Sequence, residues 1–183
     1  MDREPHYTAF LYEHETEVHL AYYSAIGRVC AIWSNLEFQL DVCAQSLFDV
    51  LGGNQFMKLP PHSFDQRVEL WKDCFKKLPA LLSYKEHALK FASDIKSAST
   101  DRNTLVHTHW GSLLDRNPPQ QLTGNSLSPK RGTYFLKGAK IEYQRIIEFT
   151  NHLGALNTRM LPFLFQITSQ RNALISTPRS EMQ

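Results

Sequence analysis

The sequence predicts a mainly all-α fold: an antiparallel four- to five-helix bundle with a short hairpin or long loop inserted before the last long helix. Three observations carry that prediction. Long proline-free stretches repeat their apolar residues at helical steps, one turn-rich stretch interrupts them late in the chain, and 183 residues that are 42% hydrophobic suffice for one substantial core. The expected organisation is a single helical domain over residues 1–175 with a flexible polar tail over 176–183.

The first helix is expected over residues 12–49. It holds no proline and spaces Ile26, Val29, Cys30, Trp33, Leu36, Leu40, Cys43 and Leu47 along one face, with Gly27 as a point of bending. "GGNQ" and "LPPHS" stop it, and Ser63 is placed to cap a second helix in which Val68, Leu70, Trp71, Phe75 and Leu78 alternate with charges. After Pro79, residues 80–110 lack proline and glycine up to Trp110 and read as one long helix, or as two sharing a break near 99–101. Residues 111–140 change character: "RNPPQQLTGNSLSPKRG" is rich in turn formers and lies between "GSLLD" and "TYFLKG", which read as extended. The helical period returns from Glu142 to about Ser169, with Pro162 expected to kink or divide the end of that helix.

Composition excludes several classes. The net charge is +2, from 20 basic and 18 acidic residues, so any nucleic-acid site must be local rather than advertised by overall charge. The N-terminus mixes acids through its apolar residues, and no run of about 18 apolar residues occurs, which predicts a cytoplasmic protein with no membrane association. Cys30, Cys43 and Cys74 are odd in number, lie in apolar helical patterns and read as buried reduced thiols. The chain has no Gly-rich phosphate loop, nucleophile elbow or zinc-ligand quartet, and no cofactor is implied. His14 and His19 are five apart, the wrong helical step for sharing a metal, and read as surface residues; no metal site is expected.

The chemistry concentrates in "DRNTLVHTHW". On a helix Asn103 and His107 share a face, Arg102 borders it, and Leu105 and Val106 point toward the core side. His109, seven residues after Arg102, falls back into line with the arginine. A guanidinium, a carboxamide and one or two imidazoles converging on one edge suit a phosphodiester. Arginine holds two phosphate oxygens at once, and imidazole exchanges protons near neutral pH. On RNA the 2'-hydroxyl is an internal nucleophile, so cleavage needs positioning, proton transfer and charge stabilisation but no metal.

Arg102 and Asn103, followed after three residues by His107 and then by Trp110, resemble the signature of the HEPN superfamily. "IWSNLEFQL" in the first helix and "FDQRVELW" in the next resemble further landmarks of HEPN-type bundles, and the resemblance spans roughly residues 25–165. It implies a helical bundle that forms a homodimer with two copies of the motif facing each other across a cleft. It also implies a metal-independent endoribonuclease of the toxin–antitoxin, phage-defence or RNA-processing kind, although many members are non-catalytic. By that resemblance Arg102 stabilises the phosphate, Asn103 orients the phosphate or the histidine, and His107 is the general acid or base. His109 also fits the permitted spacing and competes with His107 for the role.

Other readings stand beside these. Arg102 and His107 can serve a salt-bridge network with Glu37, which is either the wet edge of its helix or a buried acid needing a cation. Lys130, Arg131, Lys137 and Lys140 frame the expected hairpin. They can track an RNA backbone, with Tyr134 or Phe135 as a stacking surface, or serve as a solvated hairpin. Two functions therefore remain: an RNA-cleaving homodimer, with an antitoxin as a further partner, or a non-catalytic helical module that binds RNA, a nucleotide or a protein.

Overall fold

The computed structural model describes residues 17–110, 121–130 and 133–176. Four α-helices, α1 (Glu17–Asp49), α2 (Phe64–Lys77), α3 (Lys85–His107) and α4 (Tyr143–Ser176), dominate it. A three-stranded sheet of β1 (His109–Trp110), β2 (Gln121–Lys130) and β3 (Thr133–Glu142) lies between α3 and α4 in sequence. Short 3₁₀ turns at Gly53–Gln55 and Pro79–Tyr84 join α1 to α2 and α2 to α3. The fold is thus mainly helical, as the periodicity predicts, and residues 80–110 hold one α-helix after a 3₁₀ turn. Chain contacts divide the protein into two compact units: Met1–Cys30 with Arg102–Asn151, and Ala31–Asp101 with His152–Gln183.

In the second unit the core is aromatic and aliphatic. The rings of Trp71, Phe75, Phe91 and Phe163 lie 4.7–5.6 Å apart between centroids, and Trp33 packs on Phe64. Each such ring pair adds roughly 0.5–1.5 kcal/mol beyond the area it buries. The Trp71 indole donates to the Ala88 carbonyl at 3.1 Å, which satisfies its one polar atom inside the core. Ser63 caps α2 as expected. Its hydroxyl accepts from the Gln66 amide, and the Gln66 side chain accepts from the Ser63 amide, both at 3.3 Å, closing a capping box.

Helix directions depart from a uniformly antiparallel arrangement. α3 runs antiparallel to α2, since Asp65 pairs with Lys96 and Trp71 reaches Ala88, and to α4, since Tyr84 bonds Gln166 and Asp94 bonds Arg159. α1 and α4 run parallel. Asn157 takes hydrogen bonds from Asn35 and Gln39, while fourteen residues later Arg171 lines a cavity of about 330 Å³ with Val42, Ser46, Asp49 and Val50. The connection from α1 to α2 is the cause: it carries the chain back along α1, so that Phe64 packs on Trp33 and Arg67 pairs with Asp41, and α2 runs parallel to α1. In the first unit the Tyr143 amide donates to the Tyr22 hydroxyl at 2.9 Å, and α4 sets out beside the first turns of α1. Pro162 does not divide α4, which continues to Ser176, past the expected end near Ser169; buried Met160 and Phe163 flank the proline.

The excursion is a hairpin rather than a long loop. β2 and β3 pair antiparallel from Gln121 opposite Glu142 to Lys130 opposite Thr133, and β1 pairs with β2 through His109 opposite Asn125 and Trp110 opposite Gly124. The stretch "QLTGNSLSPK", expected to turn, is therefore a strand. "GSLLD" lies outside the described residues.

Candidate functional site: the end of helix α3

α3 ends at His107 because side chains take over the hydrogen bonds that further helix would make. The Thr108 hydroxyl donates to the Thr104 carbonyl at 2.6 Å and the Trp110 indole donates to the Leu105 carbonyl, so two carbonyls of the last turn are satisfied without another turn. Trp110 then enters β1, buried over Gly124, and its carbonyl accepts from Tyr23 at 3.4 Å. A Cβ built on Gly124 would lie 2.6 Å from the His109 carbonyl oxygen and 2.8 Å from the Trp110 ring. Only glycine lets the strand approach so closely.

Arg102, Asn103 and His107 occupy the final turns of α3. Arg102 is half-buried and its Nη1 donates to Asn103 Oδ1 at 2.9 Å. The carboxamide oxygen thus holds the guanidinium, and the amide nitrogen of Asn103 keeps its own donors. His107 is exposed one turn after Asn103 and makes no hydrogen bond or ion pair among the described residues. The expected edge therefore exists for Arg102, Asn103 and His107.

His109 departs from it. Because the helix stops at His107, His109 lies on β1 and not one further turn along α3, so the helical alignment with Arg102 does not hold. It is exposed on the sheet face that also carries Thr123 and Asn125 of β2 and, by the two-residue period of strands, Lys140 of β3. Gly138, opposite Asn125, leaves open space on that face, since a Cβ there would meet nothing within 4 Å. Lys137 is exposed with the opposite parity, so the expected basic cluster does not lie on a single face. Lys130 ends β2, Tyr134 and Phe135 belong to β3, and Arg131 lies outside the described residues.

Glu37 belongs to the second unit. It is half-buried on α1 between Trp33 and Asp41, one turn from each; Trp33 packs on Phe64, and Asp41 pairs with Arg67 at 2.8 Å. Its stripe is thus the one that meets the first turns of α2. Sequence reasoning missed Asn125 and its alignment with His109, although the alternation Leu122, Gly124, Ser126 against Thr123 and Asn125 carries a strand period. Burial pushes the Cys43 and Cys74 thiols up to about 12, with the neighbouring Asp73 adding to the rise at Cys74, so both are inert at neutral pH. Among the described residues no helix is long and apolar enough to cross a membrane. Comparisons with protein-family models, curated proteins and solved structures find no match.

Proposed function

We propose that the chain is a metal-independent endoribonuclease of HEPN type, of the kind found in toxin and phage-defence systems, acting as a homodimer on RNA. The observation that supports this reading is the Arg102–Asn103 pair, hydrogen-bonded at the end of α3, with His107 exposed one turn further along the same edge. The substrate's 2'-hydroxyl attacks the adjacent phosphorus, His107 accepts its proton, and the 5'-oxygen leaves as it is protonated. Arg102 neutralises the charge growing on the phosphoryl oxygens, with its guanidinium oriented by Asn103. A second copy of the motif supplies the second proton transfer. The products are a 2',3'-cyclic phosphate and a 5'-hydroxyl.

The test is cleavage of an RNA oligonucleotide in the presence of a chelator. His107→Ala is expected to lower the rate by roughly 10²–10⁴ with the fold intact, and Arg102→Ala to weaken both binding and turnover. His109→Ala, on the strand, is expected to cost less than His107→Ala. Equal cleavage by wild type and the Arg102→Ala, His107→Ala double variant overturns the reading, as does chelator-resistant cutting of an all-DNA substrate. The second reading, a non-catalytic module for RNA, a nucleotide or a protein partner such as an antitoxin, is favoured by one observation: Arg102 is half-buried and already engaged by Asn103. RNA binding that survives without cleavage would select it.

A further inference from the structure

A glycine inside a strand weakens it and marks a bulge, a bend, or a place where another backbone or a ligand comes close. Gly124 is explained by backbone, because β1 lies against it. Gly138, in the middle of β3, is not. Its pairing runs without a bulge, from Ser126 opposite Lys137 through Asn125 opposite Gly138 to Gly124 opposite Ala139. Among the described residues only Gly52 has a positive φ, so no left-handed backbone calls for glycine here. A Cβ at Gly138 would meet nothing within 4 Å, so no neighbouring group calls for it either. A ligand is the remaining reason for a bare stretch of backbone.

The surroundings of Gly138 are polar and varied. Asn125 stands directly opposite on β2, and His109 stands opposite Asn125 on β1; all three positions are exposed. Side chains at directly opposed positions have their Cβ atoms about 4.5–5.5 Å apart. Lys140, two residues along β3 and about 7 Å away by the strand rise, is exposed on the same face beside half-buried Thr123. None of the side chains of His109, Asn125 and Lys140 makes a hydrogen bond or ion pair among the described residues. The opposite face carries buried Trp110 and Leu122, so this one faces away from the packed side of the sheet. His109 follows His107 by two residues, which places the face within about 7 Å of chain from the exposed imidazole at the end of α3.

We infer that this face seats an unpaired adenine of the RNA, next to the phosphate at the end of α3, an assignment that rests on the endoribonuclease reading above. The base lies on the bare backbone of Gly138. Asn125 meets its edge, because a carboxamide offers an acceptor and a donor side by side, matching the amino group at N6 and the acceptor at N7 of adenine. Lys140 takes the phosphate of that nucleotide, and the acidic Glu142, next on the face beyond it, ends the path of the backbone. The His109 ring stacks on the neighbouring base, on the side of His107. His109 is thereby a binding residue, in keeping with the smaller loss of cleavage expected for His109→Ala. In an A-form duplex the same edge of adenine lies in a deep, narrow groove that side chains do not reach, so the base must be unpaired.

The experiment is fluorescence anisotropy with labelled, single-stranded 2'-O-methyl oligoadenylate, which has no free 2'-hydroxyl and so reports binding without cleavage. Wild type is expected to bind it more tightly than 2'-O-methyl oligouridylate of the same length, and more tightly than the duplex of the two. Asn125→Ala is expected to erase the preference for adenine. Gly138→Val is expected to weaken binding of oligoadenylate about 10-fold or more, the worth of one seated base, with the thermal midpoint near that of wild type. Lys140→Ala is expected to weaken binding and flatten its salt dependence, whereas Lys137→Ala, an equal loss of charge on the other face, is expected to change neither. Equal losses at Lys137 and Lys140 overturn the inference, since charge alone would then explain the binding. Unchanged binding by Gly138→Val, or a duplex bound as tightly as the single strand, overturns it as well, and a preference for another base overturns the assignment to adenine. Cleavage that persists with no such binding fails this subsite alone, and binding without cleavage fails the nuclease reading alone.

Discussion

Gly124 and Gly138 lie in neighbouring strands of the same small sheet and answer to different constraints. At Gly124 an added methyl would collide with the Thr108 side chain at 2.7 Å as well as with backbone and indole, while at Gly138 it would enter open space. Gly124→Ala is expected to cost about 1–3 kcal/mol and Gly138→Ala close to nothing, measured as the difference in denaturant midpoints. Equal costs would mean that Trp110 is not seated on β2. Residue identity alone made Arg102, Asn103 and His107 legible, because three steps of one helix suffice to align them. It misplaced His109, because the end of α3 is decided by where the Thr108 hydroxyl and the Trp110 indole send their protons, and helical periodicity carries no such information.

At the scale of elements, α1, α2 and α4 were legible from apolar spacing, and α2 also from its cap, since Ser63 followed by Gln66 states its start in two residues. β2 was not. Its Gly, Asn, Ser and Pro favour turns, and it becomes a strand because β1 and β3 pair with it on both sides, a tertiary effect that overrides local preference. The α3–α4 contact in the second unit carries a pH dependence of its own. Burial opposes ionisation of Asp94, but the hydrogen bond from Arg159 and the charges of Lys90, Arg159 and His152 outweigh it and hold the carboxyl below its usual range. A depressed carboxyl stabilises the fold above its unfolded pKa of about 3.9, and that contribution fades as pH falls through the lower folded value. Asp94→Asn is therefore expected to lower stability at pH 7 by up to about 1 kcal/mol, since the pair is partly exposed, and the gap to wild type is expected to close below about pH 4. Thermal midpoints of the two proteins from pH 7 to pH 3 check this; a gap constant over that range would remove the ion pair as its cause.

At the scale of the whole molecule, periodicity predicted a mainly helical chain, left residues 80–110 open as one helix or two, and did not say which way the helices run. A stripe of apolar residues looks the same read up or down, and the parallel course of α1 and α4 in the second unit is set by where α2 begins, beside Trp33 rather than at the end of α1. The placing of the indoles makes the protein its own reporter. Of its three tryptophans, Trp33 and Trp71 are fully buried in the second unit, and Trp110 alone belongs to the first, directly after the turn that bears His107. Intrinsic emission therefore separates the two units without a dye. In a Trp33→Phe, Trp71→Phe variant the remaining indole is expected to change intensity when RNA is titrated in, while a Trp110→Phe variant is expected to stay optically silent. The reverse pattern would move the ligand away from α3, whereas the expected one puts the signal on the indole that is hydrogen-bonded to the last turn of the helix that carries the proposed chemistry.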